Sequence, residues 1–205
     1  MGWLFAVALA LQSGSGRTLL AALPPIALGH AASLGAVALV LGLASALVPP
    51  PTLRLLTAGA LLAFGLYKLL RYYRHPRWVG MRVGARELFA WSFLMATAHG
   101  AGLMAAPLLL ALDAGPAAAQ HAGHQVHSMA AAAADTTALW ALALGVHTAA
   151  LFAVMLLVAW VVYRRLGLAV LRRGWVNFDL IWAVALLLSG TLAFVSSLWP
   201  GSATA

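Results

Sequence analysis

The sequence contains no cysteine among its 205 residues. Disulfides, thiolate metal sites and thiol nucleophiles are therefore excluded. Charge is almost as scarce. Asp, Glu, Lys and Arg together make up 8% of the chain, and only four residues are acidic. A soluble domain carries about 25% charged residues, so this chain cannot clothe a water-facing surface. Catalytic signatures are missing too: there is no serine-nucleophile motif, no HExxH and no phosphate loop, and Gly14-Ser15-Gly16-Arg17 lacks the Walker spacing. The expectation is a protein that is not an enzyme.

What is present is hydrocarbon. Apolar residues make up 64% of the chain, and the mean hydropathy is +0.96. Disorder, which needs low hydrophobicity, is excluded. A membrane-spanning helix takes about 20 apolar residues, so the apolar content suffices for about six. The net charge of +8 would suggest nucleic acid in a soluble protein, but its placement argues against that. Ten of the twelve basic residues fall within Lys68–Arg86 and Arg164–Arg173. This is the positive-inside pattern of a bacterial inner-membrane protein. It predicts cytoplasmic loops at 71–86 and 164–173 and periplasmic N- and C-termini, with no nucleic-acid partner. Met1-Gly2-Trp3 has no basic n-region and reads as sequence entering a helix rather than a signal peptide.

Six apolar runs are bounded by punctuation: a short one from Trp3 to Leu11, then Thr18–Val48, Leu53–Leu70, Leu88–Leu112, Ala138–Tyr163 and Phe178–Leu198. The predicted fold is all-α, a polytopic membrane protein of six transmembrane helices. Residues 1–71 form a first three-helix repeat and residues 72–86 a basic cytoplasmic loop. Residues 87–198 form a second three-helix repeat carrying a His-bearing external loop, 113–137, and residues 199–205 are a tail.

The repeat reading rests on self-similarity. Residues 4–22 match 88–106 at several positions, 30–39 match 147–156 with His30 on His147, and 55–65 match 180–190. An odd number of helices per half places the halves in opposite orientations, as in the inverted repeats of many secondary transporters.

Ionisable groups within hydrocarbon are costly and mark function. Three histidines qualify: His30, His99 and His147. Neutral imidazole binds divalent metals, relays protons or hydrogen-bonds a substrate, and three such nitrogens suit Ni, Co, Zn or Cu. The plainer alternative is three interhelical hydrogen bonds, to Ser33, Thr97 or Thr148; ligation of haem by two of them is a third. The external loop adds His121, His124 and His127, a spacing that suits metal capture and equally a linker with no ligand. Helix breaks or close packing are predicted at Gly14, Gly16, Gly100 and Gly102, and at Pro24, Pro25 and Pro107, which fall in corresponding regions of the two halves. Interrupted helices at matching positions point to a binding site between the halves.

These motifs resemble the LysE-like exporter superfamily and, within it, the nickel/cobalt efflux (NicO, RcnA-type) branch. Leu11–Thr18 is similar to that branch's Gln-Pro-Gly-His-Ser/Gly-Lys stretch, with Ser15 in place of the His and Arg17 in place of the Lys. Ala27-Leu28-Gly29-His30-Ala31-Ala32 resembles its Thr-Leu-Ser-His-Thr stretch, and Ala98-His99-Gly100-Ala101-Gly102 the Leu-His-Gly-Xaa-Gly form. The acid-and-His signature of nickel permeases and the Pro-Gly-Pro of amino-acid exporters are missing. The resemblance implies two three-helix halves and an exporter. The combined expectation is a secondary transporter exporting a divalent transition metal or a small solute. The bilayer and a small ion or solute are its partners, and a homo-oligomer is compatible with the composition. A non-transporting accessory or assembly protein and a haem-binding redox protein are the alternatives.

Overall fold

A computed structural model describes residues 2–70, 84–113, 127–166 and 178–198. Every element among them is helical. In chain order they are α1 (Gly2–Ser13), α2 (Gly16–Ser45), α3 (Pro50–Leu70), α4 (Ala85–Ala98), α5 (Ala101–Asp113), α6 (His127–Val161) with a π-helical turn at Val162–Leu166, and α7 (Phe178–Leu198). Four of them, α2, α3, α6 and α7, are long and apolar enough to cross a membrane, and α4 with α5 makes a fifth if that broken pair is one span. The described residues are thus all-helical in their regular structure, with four to five candidate spans among them. The run expected to give a sixth, α1, has 12 residues and is about 18 Å long, against a hydrocarbon core of about 30 Å.

The helices end where backbone chemistry ends them. The α1–α2 break contains Gly14 at φ 62°, and the α4–α5 break contains Gly100 at φ 73°. This left-handed conformation costs any residue with a Cβ about 1–2 kcal/mol. Gly16 opens α2, and Gly102 lies in the first turn of α5. The prolines behave differently from expectation. Pro24 and Pro25 lie inside α2 and Pro107 inside α5, so each removes a donor without ending its helix. Glu87 caps α4, its Oε2 accepting the Gly84 N–H at 2.9 Å.

Helix α6 also differs from expectation. It begins at His127, so residues 127–137 continue the helix rather than a loop. The run Ala130–Ala134 accounts for this, since alanine has the highest helix propensity. His121 and His124 lie outside the described residues, as do the side chain of His127, most of both basic loops and the 199–205 tail.

Two compact units are present, and neither is a half of the sequence. The first comprises residues 1–33, 73–99 and 146–178. Its core mixes alanines with larger aliphatic residues: Ala6, Val7, Ala10, Leu19, Ala22, Leu23, Ile26, Ala27, Leu88, Met155, Ala159 and Val162. The second comprises residues 34–72, 100–145 and 179–205, with Leu41, Leu53, Ala106, Leu109, Leu110 and Trp140 packed together. Large side chains meanwhile point outward: Leu28, Leu39, Leu142, Val154 and Leu192 are all exposed. Large apolar side chains turned outward from the helices suit a lipid surrounding, where helices associate by packing rather than by a hydrophobic drive. In water, so large an apolar surface would aggregate.

Candidate functional site

In the first unit α2 and α4 touch through backbone. A Cβ at Gly29 would lie 2.3 Å from the Phe89 carbonyl oxygen, 2.9 Å from Ser92 Cβ and 3.0 Å from the Phe93 nitrogen. Only glycine allows that approach. It brings Ser92 within reach of α2, where its hydroxyl donates to the Ile26 carbonyl at 2.6 Å.

One turn further along, Ser33 and Thr97 lie 2.9 Å apart, oxygen to oxygen. Thr97 Oγ1 also donates to the Phe93 carbonyl at 2.9 Å. Its single proton is thereby committed, so Ser33 is the donor to Thr97. Ser33 is only 1% exposed. In a segment where water is excluded, such bonds are the means by which hydroxyls are accommodated.

His30 lies between these two contacts on the sequence of α2. Its ring stacks on that of His147 from α6, with centroids 5.8 Å apart and planes inclined at 21°. His147 itself is exposed and His30 half-buried. The His30 Nε2 atom is buried and has no hydrogen-bond partner among the described residues. A polar atom left unmatched in an apolar surrounding costs about 1–3 kcal/mol. The interhelical hydrogen bonds that would make these histidines structural are therefore not seen at this atom, because Ser33 and Thr97 satisfy each other.

His99 has a different setting. It caps the C-terminus of α4, directly before the left-handed Gly100. Its Nδ1 lies 2.6 Å from the Met95 carbonyl oxygen. A carbonyl only accepts, so Nδ1 carries the proton and the lone pair of the neutral ring resides on Nε2. The expected cluster of three histidines does not form. Among the described residues no group of three or more His, Asp or Glu is placed to hold a metal ion. The structure unites His30 with His147 and gives His99 its own place at the helix break.

Sequence reasoning did not anticipate Ser92 or the glycine contact that admits it. The local cue was present, since Gly29 directly precedes His30. Its partner, however, lies 66 residues away from Ile26 in sequence. The chain matches no known protein family, no curated protein and no solved structure.

Proposed function

We propose that this protein is a secondary transporter of the bacterial inner membrane. In this reading the His30–His147 pair is the point through which its substrate passes, and a divalent transition metal leaving the cell is the substrate. The observation that carries the reading is the buried, unmatched Nε2 of His30 beside a second imidazole. Such a nitrogen is a lone pair or a donor awaiting a partner. With metal–nitrogen bonds of about 2.0–2.1 Å, two imidazoles on one ion place their ring centres about 5–6 Å apart. The 5.8 Å spacing of the rings meets that distance. Rotation of the rings about χ2, whose well is broad, would be the movement that turns a nitrogen of each toward a shared ion.

Two fixed ligands make a weak site, and a weak site suits cargo. Transport requires binding favourable enough for entry and loose enough for release. A resident structural metal would instead use about four protein ligands.

The inverted-repeat architecture belongs to the same proposal. His30 and His147 are equivalent in the internal sequence match, and residues exchanged by a two-fold axis touch only near that axis. Their ring contact supports the symmetry, as do the left-handed glycines at the two helix breaks. A six-span count requires α1 to act as a span together with its neighbours. The resemblance to nickel/cobalt exporters points the same way.

Tracer uptake into proteoliposomes tests the function. Wild-type protein is expected to carry Ni, Co or Zn across the bilayer, and His30→Ala and His147→Ala to reduce flux at least tenfold. Competition by small organic solutes would reassign the substrate. Absence of flux for every metal and solute would favour the accessory-protein alternative, and a Soret band in the purified protein would favour haem.

A further inference from the structure

A second feature of the first unit belongs to neither His30 nor His147. Arg17 stands outside both basic stretches that set the topology. The fold nevertheless brings its neighbourhood against one of them. A Cβ at Gly16 would lie 3.7 Å from Tyr163 Cε1 and 3.8 Å from Trp160 Cζ3, so the start of α2 packs on the aromatic rings that close α6. There the helix widens into the π-helical turn Val162–Leu166, which carries Arg164 and Arg165. Single π turns recur at functional positions. The Arg164 guanidinium carbon stands 4.8 Å over the centroid of the Trp160 ring. That contact holds the group by one face and leaves its N–H edges free, and the planar fork of those edges fits phosphate oxygens.

Arg17 directly follows Gly16 at the start of α2, and Arg164 and Arg165 directly follow the rings on which that start packs. All three are exposed. The acid nearest in the described part of this unit, Glu87, is committed to the Gly84 amide. No ion pair to any of the three arginines is seen among the described residues. Like charges on adjoining helix ends call for an anion, and Trp160 and Tyr163 are the amphipathic aromatics of a membrane interface.

We infer that Arg17, Arg164 and Arg165, framed by Trp160 and Tyr163, form a docking surface for the headgroup of an anionic phospholipid. The occupant is a lipid rather than a soluble anion because the patch pairs charge with apolar ring surface. It also sits where the positive-inside pattern places the anionic cytoplasmic leaflet. The bound headgroup would tie the start of α2 to the end of α6, the two helices that carry His30 and His147. Lipid binding itself does not depend on the transport reading.

Native mass spectrometry of the purified full chain, supplied with phosphatidylglycerol or phosphatidylcholine in neutral detergent, tests this. Wild-type protein is expected to retain phosphatidylglycerol at least fivefold more than phosphatidylcholine. The triple variant Arg17→Gln, Arg164→Gln, Arg165→Gln is expected to lose that preference. Arg71→Gln, Arg74→Gln, Arg77→Gln, which removes as much charge from the other basic stretch of the sequence, is expected to keep it. Arg164→Lys guards against misfolding of the triple variant; it preserves charge and is expected to show partial loss. Equal retention of the two lipids by wild type, or equal loss in both triple variants, would overturn the inference. Displacement of the lipid by millimolar glycerol phosphate would overturn the lipid assignment in favour of a soluble anion.

Discussion

Replacing Gly29 by alanine adds one methyl group where no space exists. The new Cβ would meet the Phe89 oxygen at 2.3 Å and the Phe93 nitrogen at 3.0 Å. Both are backbone atoms, so no side chain can swing aside and α4 itself must retreat. Forcing atoms into a packed interior costs typically about 1–3 kcal/mol. The retreat also stretches two interhelical hydrogen bonds, Ser92 to Ile26 and Ser33 to Thr97, each worth about 0.6 kcal/mol in a membrane protein. Against this, alanine in a helix gains about 0.5–1 kcal/mol over glycine. The net expectation is a loss of about 1–3 kcal/mol. Gly35, six residues along the same helix, has nothing within 4 Å of its added Cβ. There the same substitution keeps only the gain of up to about 1 kcal/mol. The two variants should therefore differ in sign. Unfolding in mixed micelles by titration with dodecyl sulfate, followed by tryptophan fluorescence, measures both. If Gly29→Ala proved as stable as Gly35→Ala, the close α2–α4 contact would be wrong.

Two further outcomes follow from the same structure. Ser33→Ala and Thr97→Val, measured singly and together by the same titration, should show a positive coupling of about 0.6 kcal/mol; strict additivity would mean the hydroxyls do not meet. Gly100→Ala should cost more than Gly14→Ala. Both incur the left-handed penalty of about 1–2 kcal/mol, but only at Gly100 does the added Cβ meet neighbours, Leu186 and Phe64, at 2.9–3.1 Å. Equal losses would mean that Leu186 and Phe64 do not crowd Gly100.

Much of the helical layout was legible because lipid imposes a coarse code. Long apolar runs must be helices where water is absent, and each of the six runs corresponds to a helix or to the α4–α5 pair. The glycines at Gly14 and Gly100 marked true breaks, since a left-handed residue is a local property of the backbone. The prolines misled, because a proline interrupts one hydrogen bond and the rest of α2 carries the helix past it. The extension of α6 back to His127 was hidden by low complexity, which reads alike for a linker and a helix. Within the site, the internal match of His30 with His147 singled out two residues that the fold brings into ring contact. His99 looked equivalent in sequence, and only the break after Ala98 sets it apart. The Ser33–Thr97 and Ser92–Ile26 bonds join residues 64 and 66 positions apart, and no local pattern encodes such pairings.

X-ray absorption at the metal edge addresses the shared-ligand claim most directly. Purified protein loaded with one equivalent of Zn or Co should show two imidazole nitrogens on the ion at about 2.0–2.1 Å, falling to one in either His30→Ala or His147→Ala. A bound ion whose imidazole count is unchanged by both substitutions would contradict the account.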